Sequence, residues 1–155
     1  MNTPIKTALV AYGAAGKFMH APFLATQPEN YDVAAVLERH KEESKQLFPS
    51  AKIVRTIDEL LSLENIELVI ITTPNDTHFS YAKSSLLAGK HVVVDKPFTI
   101  TSADALELIE LSKRVNKIIS VYQNRRYVTD FRTIIEIVNN KLLGEIHATF
   151  LDFFY

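Results

Sequence analysis

The sequence predicts an α/β fold in which helices cover both faces of a mostly parallel β-sheet. Short apolar runs recur along the chain, and most are continuous rather than alternating, which is typical of strands buried on both faces. Stretches with helical periodicity separate these runs, and the gaps have about the length that one crossover helix needs. The six predicted strands are Ile5–Ala11, Val33–Leu37, Ile53–Val54, Leu68–Ile71, His91–Val94 and Ile118–Val121.

The predicted helices are apolar on one side and have residues suited to helix termini at their ends. Thr101 or Ser102 can cap the helix after the fifth strand, in which Leu108 and Ile109 share a face. Gly89 follows the helix predicted over residues 76–88, at a position that favours a left-handed residue. A last helix, before a turn at Gly144, is predicted from apolar residues at i, i+3, i+4 and i+7 spacing: Phe131, Ile134, Ile135 and Val138.

Composition excludes several classes of protein and site. The 155 residues suit one domain of ordinary size and contain no cysteine, so neither a disulfide framework nor a thiolate metal site is possible. We expect no bound metal and a cytoplasmic location. With 17 basic and 18 acidic residues, the chain has no net field to attract nucleic acid or an anionic membrane, and we expect neither partner.

The loop after the first strand resembles a phosphate-binding turn. In an open parallel sheet, ligands bind beyond the carboxyl ends of the strands, and this loop matches the pattern G-x-G-x-x-G with Ala11 in the first place. Gly13 would let the backbone approach a pyrophosphate, and Gly16 would allow close packing of helix on strand. We expect Ala11 to be tolerated if its dihedral angles are ordinary. If the loop binds a dinucleotide, the residues that contact it are Tyr12, Gly13, Ala14, Ala15 and Gly16. The alternative is a tight turn that only connects the strand to the helix.

The end of the second strand carries the residues that would distinguish NAD from NADP. Glu38 follows that strand 22 positions after Gly16, where the dinucleotide fingerprint asks for an acidic residue about 20 positions on. Its carboxylate can accept hydrogen bonds from the adenosine ribose of NAD, whereas Arg39 could meet the 2′-phosphate of NADP. A solvated Glu-Arg pair is the alternative. The sequence therefore predicts NAD or NADP as cofactor without choosing between them.

Three other strand ends carry candidate site residues. Lys96, in Asp95-Lys96-Pro97, could act as a general acid beside a cofactor, and the bond before Pro97 is of the kind that can be cis. A surface turn is the alternative there. The segment after the fourth strand could equally be a turn and helix cap, followed by a helix histidine whose ring is hydrogen-bonded within the protein. The segment after the sixth strand could equally be a solvated basic cluster. The candidate site residues are Thr73, Pro74, Asn75 and His78 in the first of these segments and Asn124 and Arg125 in the second.

Together these motifs resemble the N-terminal domain of the Gfo/Idh/MocA family (glucose–fructose oxidoreductase, inositol dehydrogenase and rhizopine catabolism proteins). The matching segments run in the family's order over nearly the whole chain. The YQNRR form is most similar to the subgroup that contains NADP-dependent scyllo-inositol dehydrogenase-like proteins. The matching segments are the glycine loop with His20-Ala21-Pro22, TPNDTH at 73–78, AGKHVVVDKPF at 88–98 and YQNRRYVTDF at 122–131.

The resemblance implies a Rossmann domain, a second α+β domain that holds the substrate, and reversible hydride transfer between a sugar or polyol and NAD(P). It implies that Lys96 lies beside the nicotinamide and the reacting carbon. Asp95 would contact the nicotinamide ribose, although the family normally has the longer Glu there. The loop of residues 73–75 would line the nicotinamide, and Asn124 and Arg125 would face the cofactor and substrate cleft.

The resemblance also implies a longer protein than these 155 residues. We expect a Rossmann domain over residues 1–143 and the first strand of a truncated substrate and dimerisation domain over residues 144–155, although an ordinary last strand of the Rossmann sheet is the alternative. The full-length protein would form a homo-oligomer through its C-terminal sheet, and the fragment alone would be inactive. A dinucleotide-sensing regulator of the same fold is the alternative to an enzyme.

Overall fold

The computed structural model describes residues 3–148, which form two compact units that divide between Tyr122 and Gln123. The first unit contains a six-stranded, fully parallel sheet in the order β3-β2-β1-β4-β5-β6, which confirms the predicted fold class. This is the order of a doubly wound dinucleotide-binding sheet, whose chain reverses direction across the sheet between β1 and β4. The strands are β1 (Ile5–Val10), β2 (Tyr31–Leu37), β3 (Lys52–Val54), β4 (Leu68–Ile71), β5 (His91–Val94) and β6 (Ile119–Val121).

The helices of this unit connect consecutive strands. The main ones are α1 (Ala21–Ala25), which continues a π-helical turn over Ala15–His20, and α2 (Ile57–Leu61), α3 (Asn75–Leu87) and α4 (Ser102–Arg114). Thr101 caps α4 by accepting a hydrogen bond from the Asp104 N–H at 3.1 Å, and Gly89 follows α3 with φ +74°, so both expected termini are confirmed. A 3₁₀ turn over Glu43–Gln46 follows β2.

The sheet is buried on both faces, which explains why its strands read as continuous apolar runs. Alternate residues of β1 face opposite ways: Ala8 and Val10 join a core with α2, α3 and α4, whereas Leu9 joins a core with α1. A strand exposed on one face has a polar residue at every second position, whereas a strand buried on both faces does not. The same alternation continues in β4, where Val69 and Ile71 belong to the first core and Ile70 to the second.

The second unit has two described elements: a 3₁₀ turn over Asn124–Tyr127 and α5 (Thr129–Asn139). The predicted turn is confirmed at Gly144, which has φ +72°. Residues 144–148 form no regular element, and the rest of the strand predicted over 144–155 lies outside the described residues. The domain boundary after residue 143 therefore stays a prediction. Over residues 3–148, no helix is long and apolar enough to cross a bilayer.

Candidate functional site

The carboxyl ends of five strands lie in one row, and this row positions the candidate site. The register of the parallel pairs aligns the last residues of neighbouring strands, so that the loops after them are adjacent in space. The backbone ladder continues one residue further, since the Thr72 N–H donates to Val10 O at 3.0 Å and the Asp95 N–H to Ile71 O at 2.9 Å. The row is Leu37, Val10, Ile71, Val94 and Val121.

Thr72 joins the two loops that flank the chain reversal between β1 and β4. Its side chain is buried, and its hydroxyl oxygen lies 3.0 Å from the carbonyl oxygens of both Val10 and Ala11. The crevice between these loops is where an open α/β sheet binds its ligand. Thr72 therefore fixes the start of the glycine loop relative to the loop after β4.

Ala11 corrects an expectation from the sequence. We expected Ala11 to be tolerated if its dihedral angles were ordinary, but β1 ends at Val10 and Ala11 has φ +79°, in the left-handed region. The contact with Thr72 holds its carbonyl in this orientation. An L-residue with a Cβ pays about 1–2 kcal/mol there, a cost that the first glycine of the fingerprint avoids. The loop keeps the geometry of the fingerprint despite the substitution.

Replacing Ala11 by glycine should stabilise the chain by about 1 kcal/mol, because glycine adopts positive φ without steric cost. The measurement is the free energy of unfolding in urea. Ala14→Gly is the matched control: Ala14 has φ −54° and is exposed, so its replacement should lower the free energy of unfolding by about 0.5–1 kcal/mol. A destabilised Ala11→Gly variant would contradict the strain assigned to this position.

The two glycines of the loop differ in whether the fold leaves room for a side chain. A Cβ built on Gly16 would lie 2.5 Å from Ala11 O and 2.8 Å from the Thr72 hydroxyl oxygen, so the fold itself requires glycine there. A Cβ built on Gly13 would meet nothing within 4 Å, so the fold places no demand on that position. The open space beside Gly13 is available to a ligand, as the approach of a pyrophosphate to the backbone requires.

Glu38 forms its hydrogen bonds with other groups of the protein. Its residue is 6% exposed, and its carboxylate accepts hydrogen bonds from the Ser44 N–H at 2.9 Å, the Glu43 N–H at 3.0 Å and the Ser44 hydroxyl. The carboxylate thus caps the 3₁₀ turn after β2. Oε1 thus accepts two hydrogen bonds and Oε2 one, and the expectation that Glu38 also accepts hydrogen bonds from a ribose stays a prediction.

A salt-bridge cluster links the loops after β1 and β2. Glu43 lies between two ammonium groups, 2.7 Å from that of Lys41 and 2.9 Å from that of Lys17. The hydrogen bond from Lys41, followed by that from Lys17, lowers the pKa of Glu43 to about 2. Tyr12 lies near the same cluster, and burial raises the pKa of its phenol. The glycine loop and the end of β2 are therefore held side by side.

His78 bridges the loops after β4 and β5. The ring is 1% exposed, with Nδ1 2.8 Å from Pro97 O and Nε2 2.9 Å from Thr73 O. With both nitrogens engaged by backbone oxygens, His78 positions these loops instead of presenting a nitrogen to a ligand. Pro74 and Asn75 are exposed beside it, and the peptide bond between Lys96 and Pro97 is cis.

Lys96 is an exposed cation at the end of β5. Over residues 3–148 its ammonium group forms no salt bridge, whereas its backbone N–H donates to Asp95 Oδ1 at 2.8 Å. The loop therefore presents an ammonium group that is free to meet a bound molecule.

His20 and Tyr122 are two neighbours of Asp95 that sequence reasoning missed as site residues. His20 is 3% exposed, its ring centroid is 3.9 Å from that of Tyr122, and its Nε2 lies 3.9 Å from Asp95 Oδ2. Burial lowers the pKa of His20, and the carboxylate of Asp95 opposes that shift. The Tyr122 hydroxyl donates to Met19 O at 3.1 Å. No periodic signal marks these residues, since strands distant in sequence bring them together.

Two of the predicted site residues belong to the second unit. Asn124 and Arg125 lie in its 3₁₀ turn and are half-buried and exposed, respectively. Their predicted role toward the cofactor stays a prediction. Across the described part of the chain, no group of three His, Asp or Glu side chains could hold a metal ion.

Comparisons with known proteins agree with this geometry. The model of the Gfo/Idh/MocA oxidoreductase family, NAD-binding Rossmann fold, matches residues 5–123. An uncharacterised oxidoreductase of Schizosaccharomyces pombe is 42% identical over 147 residues, covering 92% of this chain and 40% of its own length. The scyllo-inositol 2-dehydrogenase (NADP⁺) IolW of Bacillus subtilis is 35% identical over 144 residues, covering 93% of this chain and 40% of its own.

A solved structure shows the same fold. The crystal structure of an NAD-binding protein from Listeria innocua superposes with a TM-score of 0.82 at 39% identity, covering 91% of this chain and 42% of that one. The chain thus spans about two fifths of the length of the curated relatives it matches.

Proposed function

The chain belongs to the Gfo/Idh/MocA oxidoreductase family as its NAD-binding Rossmann domain, and from this we propose that the protein transfers hydride between a sugar or polyol carbon and NAD(P). The observation that carries the proposal is the exposed Lys96 ammonium group, next to the chain reversal and without a salt bridge in residues 3–148. A relative 35% identical acts on scyllo-inositol, which supports a polyol substrate.

The residues at the carboxyl edge fit a dinucleotide. The backbone at Gly13 has open space for a pyrophosphate, and the residues that follow begin a helix whose N–H groups favour negative charge. Residues Thr73–Asn75 and Asp95 would lie along the nicotinamide half, held in place by His78. Asp95 Oδ1 already accepts from the Lys96 N–H, which orients the carboxylate while Oδ2 can still accept a ribose hydroxyl.

Lys96 would move the proton of the reaction. When bound, NAD(P)⁺ would supply the acceptor for the hydride that leaves the carbon carrying the hydroxyl. The neutral amine of Lys96 takes the hydroxyl proton, and in the reverse direction its ammonium group returns a proton to the carbonyl oxygen. Because His78 contacts Pro97 O, the backbone that carries Lys96 is held at the end of β5.

We also propose that the substrate is enclosed by a second domain that works with this one, as the shorter span of the chain relative to its relatives suggests. Asn124 and Arg125 would then border the substrate. The domain boundary after residue 143, inactivity of this domain alone, and pairing of subunits through the second domain belong to the same proposal. A dinucleotide-sensing regulator is the second candidate, but such a protein has no need of Lys96.

The test is turnover of a polyol panel by this domain joined to its substrate domain. We expect inositols or related polyols to reduce NAD(P)⁺, followed by the absorbance of the reduced nicotinamide. Binding of dinucleotide without turnover of any member of the panel would favour the regulator instead.

A further inference from the structure

His20 is a buried titratable residue that the proposed mechanism does not use. It ends the π-helical turn Ala15–His20, directly before α1, and is 3% exposed. Over residues 3–148, its Nε2 is the one buried side-chain nitrogen or oxygen atom that has no hydrogen-bond partner. Native folds pair nearly all such atoms, so an exception beside a candidate site calls for an explanation.

Tyr122 holds the imidazole ring of His20 in place. The two ring centroids are 3.9 Å apart with their planes inclined at 37°, and the Tyr122 hydroxyl donates to Met19 O at 3.1 Å, one residue before His20. The backbone of Tyr122 is fixed in turn, because its N–H donates to Val94 O at 2.8 Å. The ring of His20 therefore has a defined orientation relative to the end of β5.

The unpartnered nitrogen of His20 faces the carboxylate of Asp95. Nε2 lies 3.9 Å from Asp95 Oδ2, and the Asp95 side chain is 13% exposed. The other carboxylate oxygen, Oδ1, accepts the Lys96 N–H at 2.8 Å, so Oδ2 is the oxygen available to His20. A movement of about 1 Å would bring Nε2 and Oδ2 to the ordinary hydrogen-bond distance. The pair is thus one small side-chain adjustment away from a hydrogen bond.

The protonation state of His20 suits a donor to this carboxylate. Burial lowers the pKa of the imidazole, whereas the Asp95 carboxylate opposes that shift. The neutral ring has one hydrogen, and a carboxylate beside Nε2 favours the tautomer that carries it there. The phenol of Tyr122, whose pKa burial raises, is uncharged at neutral pH, and Lys17 of the same turn is paired with Glu43. Asp95 is therefore the charged partner of the ring.

We propose that His20 is a positioning residue for dinucleotide binding, whose Nε2–H donates to Asp95 Oδ2 and holds this carboxylate ready for a hydroxyl of the nicotinamide ribose. The inference rests on the proposed function, in which Asp95 accepts that hydroxyl. Two donors, the Lys96 N–H on Oδ1 and His20 on Oδ2, would remove in advance the rotational freedom that the carboxylate otherwise loses when the ribose binds. Oδ2 retains a second lone pair for the hydroxyl.

Calorimetric titration of the 155-residue chain with NADH, ADP-ribose and ADP tests this role. ADP-ribose carries the second ribose and ADP does not, so their comparison isolates the contact at Asp95. In His20→Phe, which keeps a ring against Tyr122 but has no nitrogen, the affinities for NADH and ADP-ribose should fall about tenfold, and that for ADP should stay unchanged. His91→Phe removes a half-buried histidine at the opposite end of β5 and is the matched control, which should change none of the three affinities.

A double variant tests whether His20 acts through Asp95. Asp95→Asn removes the charge, so it should lower the affinity for ADP-ribose by itself. Adding His20→Phe to Asp95→Asn should then cost little more, instead of a further tenfold. Full additivity of the two losses, an unchanged affinity for ADP-ribose in His20→Phe, or an equal loss for ADP would overturn the inference. If the unchanged chain bound neither NADH nor ADP-ribose, the proposed function would fail instead.

Nitrogen NMR of the unchanged chain follows the ring without any replacement of His20. We expect the neutral ring to carry its hydrogen on Nε2, and the resonance of that proton to move downfield when ADP-ribose is added and the hydrogen bond to Oδ2 shortens. Asp95→Asn should lower the pKa of His20, because it removes the carboxylate that opposes the effect of burial. A ring protonated on Nδ1 alone, a resonance unmoved by bound ADP-ribose, or a His20 pKa unchanged in Asp95→Asn would contradict the pairing.

Discussion

Replacing Lys96 by alanine should lower the kcat of polyol oxidation by about 10²–10⁴-fold, the usual contribution of one general acid–base group. The affinity for dinucleotide should stay close to that of the unchanged protein, because the Lys96 side chain is exposed and makes no salt bridge over residues 3–148. The measurement combines steady-state turnover of this domain joined to its substrate domain with nucleotide titration.

Two further variants separate proton transfer from charge. Lys96→Arg keeps the positive charge, but a guanidinium holds its proton throughout the accessible pH range, so turnover should stay as low as in Lys96→Ala. Lys113→Ala, in the exposed last turn of α4, is the matched control and should retain full turnover. Full activity of Lys96→Arg would mean that Lys96 acts through its charge alone, and full activity of Lys96→Ala would remove it from the mechanism.

Adding a methyl group at Gly13 and at Gly16 should have opposite consequences for stability and binding. Gly16→Ala should lower the free energy of unfolding by about 1–3 kcal/mol, because its Cβ would overlap Ala11 O and Thr72 in a buried position. Gly13→Ala should leave the free energy of unfolding equal or slightly raised, since its Cβ meets nothing within 4 Å. The same variant should weaken dinucleotide binding at least about tenfold by holding the pyrophosphate away from the backbone.

Urea unfolding of each variant, with and without NADPH, measures both effects. Ligand should raise the midpoint of the unchanged chain and raise that of Gly13→Ala much less, because stabilisation by a ligand follows its affinity. If Gly13→Ala bound NADPH as the unchanged chain does, the pyrophosphate would not lie against Gly13.

The apolar runs predicted the sheet well because burial on both faces leaves a direct trace in the sequence. The strands that cross the middle of the sheet, such as Leu68–Ile71 and His91–Val94, were predicted with the bounds that the structure has. The glycine loop was predicted from its spacing, but the positive φ of Ala11 was not, since it depends on the Thr72 contact from another strand.

The sequence also predicted where polar residues lie better than it predicted which groups they bind. Glu38 lies at the end of β2 as its spacing indicates, yet its carboxylate binds Ser44 and Glu43 of a short 3₁₀ turn that has no periodic signal. His78 was predicted near the site, but the two carbonyl groups that engage its ring belong to different loops. Contacts with irregular loops and short turns, which leave no periodic signal, decide which polar side chains remain available to a ligand.

A calorimetric titration of the 155-residue chain with NADPH and with NADH tests the central claim, that the carboxyl edge of this sheet binds a dinucleotide. We expect saturable binding of NADPH, NADH or both at one site, and a marked loss of affinity in Gly13→Ala although that variant stays folded. Absence of binding heat and of competition for both nucleotides up to millimolar concentration, in a chain that circular dichroism shows to be folded, would contradict the account.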